Sequence, residues 1–164
     1  MRLGKEWLSA YIICGLPIFK MKRRELRENI FKIVFSFREI NDFSNIFGDC
    51  FTYYKEINEI SETDGDYIKN EVSGIIENLS EIDDLISKNI KNYTIDRLSG
   101  VCLAALRVGI YEMLYAEDIP ESVAVSEALN LVSVYEDDKT KPFVNGVLGA
   151  VSRAKSDKTN EGNE

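Results

Sequence analysis

Apolar residues run almost without pause from Val101 to Leu114, through Leu103, Ala104, Ala105, Leu106, Val108, Ile110 and Met113, and only Arg107 and Glu112 interrupt them. A helix with that pattern has no wet face, so the stretch Tyr93–Tyr115 predicts a buried core helix with other helices packed around it. Thr94 is its expected N-cap, with Asp96 in the first turn where a carboxylate suits the helix dipole. Upstream, Leu26, Ile30, Ile33, Phe37 and Ile40 follow a four-three spacing that predicts a helix over Lys22–Ile40, its stripe widened by Phe31, Val34 and Phe35. After a polar break at Asn41–Asn45, a shorter helix over Ile46–Ile57 is expected to bury Phe47, Phe51, Tyr54 and Ile57. Ser61–Gly65 reads as a loop, and Asp66–Ile90 as one long helix with Ile68, Val72, Ile75, Leu79, Ile82 and Ile86 inward. Three such helices can form an antiparallel bundle of their own.

Beyond the core helix, Ala116–Pro120 is a turn. Glu121–Tyr135 predicts a helix burying Val125, Ala128, Leu129, Val132 and Tyr135, and Glu136–Pro142 is a charged loop. Phe143–Ser152 predicts a last helix that buries Phe143 or Val144 with Val147, Leu148 and Val151. Gly146 inside it costs about 1 kcal/mol relative to Ala, offset by the expected close approach of a neighbouring helix. From Lys155 the chain is polar, and residues 155–164 are expected to form a disordered tail. Residues 1–20 do not resemble the rest of the chain. Their apolar run is broken by Gly15 and Pro17 with no cleavage pattern after it, so they read as a start mis-assigned upstream of Met21, or as a disordered extension, rather than a signal peptide. Residues 21–154 form the expected single domain.

The fold class is therefore all-α, and composition narrows what such a fold can do. The 164 residues contain no histidine, which removes the commonest general base and metal ligand. Cys14, Cys50 and Cys102 are odd in number and far apart, so neither a disulfide framework nor a zinc knuckle is indicated, and a reducing, cytoplasmic setting fits. No P-loop, nucleophile elbow or metal-ligand cluster appears, and no enzymatic activity, cofactor or metal is expected. No run approaches the roughly 18 apolar residues of a membrane span. The net charge of −8 argues at first against nucleic acid, but Glu56–Asp84 carries ten acidic residues against Lys69 alone. That stretch is −9 and leaves the remainder, −8 less −9, at +1, and within it Lys20, Lys22, Arg23, Arg24 and Arg27 form one basic cluster. Cations at the head of a helix oppose its dipole at a cost of a few tenths of a kcal/mol each, so a purely structural role would favour acids there. One side of the molecule can attract phosphate while another repels it.

The runs IDRLSGVCLAALRVGIYEML, DIPESVAVSEALNL and KPFVNGVL, in that order and spacing, resemble the NusB family, as does the basic-headed first helix KRRELRENIFKIVFSF. The resemblance covers Met21 to about Ala154, is weakest between Asn41 and Ile90, and is most specific in the pairing of LRxxxYE with FVNGVL. It implies two stacked helical subdomains, and a transcription antitermination factor that binds the boxA element of nascent ribosomal RNA transcripts together with the ribosomal protein NusE. Other Nus factors and RNA polymerase are indirect partners; no membrane is. The residues matching family RNA contacts are Lys22, Arg23, Arg24 and Arg27, the turn around Asp96 and Gly100, and the Lys139–Phe143 segment, where Phe143 can stack on an unpaired base or simply pack in the core. Lys139 stands where many members carry an acid, so exposure there should raise attraction for RNA. Phe35 and Cys102 match positions facing the ribosomal protein, although members commonly carry an acid in place of Cys102. Arg107, Tyr111 and Glu112 read as structural, with a buried arginine paired to Glu112 or Glu127 fixing how the subdomains meet. The competing reading is a helical adaptor that binds proteins only.

Overall fold

The computed structural model describes residues 20–37 and 43–161, which form seven α-helices and two short 3₁₀ turns with no strand among them. The expectations about residues 1–19, about the end of the first helix beyond Phe37 and about the break through Asn41 and Asp42 lie outside these residues. We number the helices α1 (Arg23–Ser36), α2 (Phe43–Ile57), α3 (Glu62–Glu77), α4 (Leu79–Asn89), α5 (Gly100–Tyr115), α6 (Glu121–Tyr135) and α7 (Lys141–Glu161).

Helix α5 is the axis of the molecule, buried from Cys102 to Ile110 and touched by α1, α3, α4, α6 and α7. It begins later than its pattern predicts. Ser99, not Thr94, is its N-cap, and the Ser99 Oγ accepts from the Cys102 N–H at 3.0 Å. Thr94 instead opens the 3₁₀ turn Ile95–Arg97 with no side-chain bond, and Leu98 turns inward between the two. The long acidic helix is also two. Asn78 ends α3, its side-chain amide donating to the Gly74 carbonyl at 2.8 Å, the local competition for backbone groups that makes Asn a poor interior residue. The apolar stripe survives the break, with Ile68, Val72, Ile75, Ile82 and Ile86 all fully buried. Ser61 and its neighbours are not a loop: the Ser61 Oγ accepts from the Asp64 N–H and so caps α3.

Four other expectations shift. Ile57 is exposed, because Glu59 adopts a left-handed φ of 52° that turns the chain and delivers Ile60 to the core instead. On α6 the buried stripe is Ala124, Ala128, Leu131 and Val132, leaving Tyr135 partly exposed. The small residues let α6 approach α5, where a Cβ on Gly109 would lie 3.0 Å from that of Ala128. Gly146, by contrast, faces open space. Helix α7 buries Val144, Val147, Leu148 and Val151 and continues to Glu161, past the point where its apolar pattern stops. Lys155 in that polar extension donates to the Met113 carbonyl at 2.7 Å, satisfying one of the orphan acceptors at the end of α5.

Helices α1–α4 pack on α5–α7 through two buried arginines, and the one paired to Glu112 and Glu127 is Arg27 of α1 rather than Arg107. Arg107 binds Asp83 on α4 through two nitrogens at 2.9 and 2.8 Å. Glu112 lies five residues further along α5, about 140° around the helix, and so faces α1. There it accepts from Arg27 Nε at 2.6 Å, with Glu127 of α6 on Arg27 Nη1 at 3.3 Å. Where α3 crosses α5, a Cβ on Gly74 would collide with the Tyr111 hydroxyl.

Candidate nucleic-acid interface

The predicted site residues fall at two ends of one edge formed by α1 and α6. These helices run in parallel, Arg27 meeting Glu127 and Phe31 stacking on Tyr135 with ring centroids 5.1 Å apart. The 14 residues of α1 separate the two ends by about 20 Å.

At the first end the basic cluster borders a groove of about 440 Å³ against the turn before α6. Its members differ in availability. Lys22 and Arg24 are exposed and make no ion pair among the described residues. Arg23 is exposed but pairs with Asp118 at 2.9 Å and lies over the Tyr67 ring, 5.4 Å from its centroid. Arg27 is only 6% exposed. Its place in the basic cluster is therefore corrected: it shares the buried stripe of Leu26, Ile30 and Val34, and its charge is consumed by Glu112 and Glu127. The Glu112 carboxyl is nonetheless held above the usual range, because burial outweighs Arg27. Beside it the Glu71 carboxyl is pushed up to about 7, first by burial and then by the charge of Glu112.

At the second end a groove of about 320 Å³ brings Lys139 and Phe143 together with two residues that periodicity did not single out, Tyr93 and Arg97. Tyr93 is 59% exposed and meets the half-buried Phe143 edge to face, centroids 6.3 Å apart. The Lys139 side chain is 90% exposed, 3.8 Å from its nearest carboxylate on Asp137. Asp96 is exposed in the same 3₁₀ turn as Arg97. The signal for these residues was a polar turn, YTIDR, carrying an aromatic and an arginine outside any apolar stripe.

Between the ends, the Tyr135 hydroxyl donates to Glu28, which also holds Lys32 at 3.0 Å and stays below the usual carboxylate range through both. Phe35 is 43% exposed and its ring lies against Gly100, where a Cβ would come within 2.7 Å of it. Cys102 is 2% exposed, a floor residue and not a surface one, so its assignment to a partner-facing surface is corrected. Burial, and then the charge of Glu136, push its thiol up to about 12, which keeps it neutral. Among the described residues no cluster could hold a metal ion, and no helix is long and apolar enough to cross a membrane.

Two stacked helical layers joined by buried arginines, with cations and exposed aromatics along one edge, define a small all-helical protein whose candidate interface is that edge. Comparison with known proteins narrows that class. The NusB family pattern matches residues 24–153, and the chain belongs to the NusB family. It is 37% identical over 133 residues to the transcription antitermination protein NusB of Listeria monocytogenes serotype 4a (strain HCC23), covering 80% of this chain and 97% of that one. The corresponding protein of Clostridium acetobutylicum is 36% identical over 138 residues, 84% of this chain and all of the relative. Among solved structures, T. maritima NusB superposes with a TM-score of 0.70 at 33% identity, covering 82% of this chain and 93% of that one. A complex of the antitermination factors NusB and NusE with dsRNA superposes at 0.68 and 30% identity, covering 80% and 96%.

Proposed function

We propose that this chain is a transcription antitermination factor whose residues 21–154 act as one RNA-binding domain, taking boxA-type RNA of nascent ribosomal transcripts together with NusE. It carries no catalysis of its own and works in the cytoplasm, reaching other Nus factors and RNA polymerase through that complex. The observation that carries the reading is the α1–α6 edge. Lys22 and Arg24 at one end and Arg97 and Lys139 at the other can neutralise phosphates about 20 Å apart. The Tyr93–Phe143 pair supplies an aromatic face that a base can use only when unpaired, which favours single strands over duplex. Phe35, exposed beside Phe31 and Tyr135, is the candidate face for NusE. With Arg23 and Arg27 paired to carboxylates, affinity for RNA alone is expected to be modest and to tighten when NusE is present.

Fluorescence anisotropy tests this directly. The protein is titrated into a boxA-like single strand and a scrambled strand, with and without purified NusE, at two salt concentrations. Preferential, salt-dependent binding that tightens with NusE is expected. A folded protein that binds NusE yet shows no RNA preference in either condition would instead be a protein-only adaptor.

A further inference from the structure

The floor of the second groove contains an electrostatic fault. Glu136 ends α6 in extended conformation, φ −145° and ψ 175°, which turns its side chain into the groove lining. Its Oε2 is fully buried and accepts no hydrogen bond among the described residues. A buried carboxylate oxygen without a donor is costly, and such groups in folded proteins normally have a partner. Arg97 lines the same groove and makes no ion pair among the described residues, so a cation and an unsatisfied anion sit in one concavity without neutralising each other.

We infer that this groove is a pocket for a single unpaired nucleotide, with Glu136 the acceptor that selects a base by the N–H groups of its pairing edge. The inference rests on the RNA-binding reading above and adds to it which base is preferred. A nucleotide is itself divided in the way the groove is: its phosphate is anionic, for Arg97 or Lys139, and its base edge can donate. The Tyr93–Phe143 pair flanks the space a ring would enter. The terminal torsion of a carboxylate is soft, so Glu136 can offer its oxygens to an incoming edge with little rearrangement. An ionised carboxylate only accepts. Guanine presents two adjacent donors, N1–H and the N2 amine, and fits best. Adenine and cytosine present one amine beside a ring acceptor that the carboxylate repels. Uracil places its single N–H between two carbonyl oxygens and fits worst.

The test uses the full chain and anisotropy titrations against an all-uridine 12-mer, the same strand with one central guanosine, adenosine or cytidine, and a boxA-like strand. The wild-type protein should bind the guanosine strand on the order of tenfold more tightly than all-uridine. Glu136→Gln should bring that ratio below about twofold, because the amide offers a donor where guanine does too, while leaving the salt dependence on all-uridine unchanged. The variant removes an uncompensated charge and should fold as well as the parent, which its thermal melt checks. The inference is overturned if the wild-type ratio is near one, as it would be were the groove meant for a partner protein's arginine, or if the preference survives in Glu136→Gln. If the boxA-like strand binds and the ratio is flat, only this inference fails; if no strand binds at low salt, the RNA-binding reading fails with it.

Discussion

Replacing Arg27 with Ala separates the architecture of this protein from its ligand chemistry. The substitution strands Glu112, 3% exposed, in the seam between the helical layers. Removing one partner of a buried pair typically costs about 3–5 kcal/mol. Here the loss has a ceiling, since a stranded carboxyl can take up a proton instead of remaining charged. From its ordinary value of 4.5, neutralising Glu112 at pH 7 costs about 3.4 kcal/mol, and at pH 5 about 0.7 kcal/mol, at 1.36 kcal/mol per unit. The sign follows from linkage. The folded variant holds the proton more tightly than the unfolded chain, so the stability it retains at low pH is lost as pH rises. Urea denaturation followed by circular dichroism should show Arg27→Ala weaker than the parent by roughly 2–3 kcal/mol at pH 7, within that ceiling, and by less than about 0.7 kcal/mol at pH 5. The double variant Arg27→Met with Glu112→Gln should lose most of that pH dependence. A loss below about 1 kcal/mol at pH 7, or the same loss at both pH values, would refute the reasoning.

Four further predictions concern other side chains. Glu71→Gln should be more stable than the parent at pH 8 and indistinguishable at pH 4.5, because the parent's carboxyl, raised to about 7, forfeits stability as pH climbs from 4.5 through 7; equal melting temperatures at both would contradict this. Lys139→Asp should weaken RNA binding at low salt and flatten the salt slope by about 0.7, and unchanged affinity would remove Lys139 from the interface. Tyr93→Ala should cost about 1–3 kcal/mol of RNA affinity with little effect on the melt, which anisotropy and calorimetry read separately. Gly74→Ala should destabilise by about 1–3 kcal/mol, since Tyr111 must move from its stack on Tyr115; a neutral melt would show that the crossing can relax.

What could be read from the chain was set by how local the cause is. The unbroken apolar run of α5 and the four-three stripe of α1 identify buried helices because burial acts on every turn. The NusB resemblance was legible for a related reason, residing in long runs around α5 and α7. Local competitors hid the ends: Asn78 breaks a helix whose apolar period continues straight through it, and Ser99 displaces Thr94 as the cap of α5. Arg27 was misread although the cue was present, since it sits four residues after Arg23 but on the stripe of Ile30 and Val34. The Tyr93–Phe143 pair had no cue of that kind. Fifty positions separate its members, and only the packing of α7 against α4 and α5 brings them together.

The contact between Phe35 and Gly100 ties two phenotypes to one point. The edge of the Phe35 ring occupies the volume any larger residue at position 100 would need. An alanine there would evict the ring and reshape the face offered to a protein while also disturbing the turn beside the nucleotide groove. A genetic screen scoring either trait would converge on the same glycine, and compensating changes should arise at residue 35 as smaller side chains. Epistasis between these positions, 65 apart in the chain, is thus the expected evolutionary trace of a single van der Waals contact.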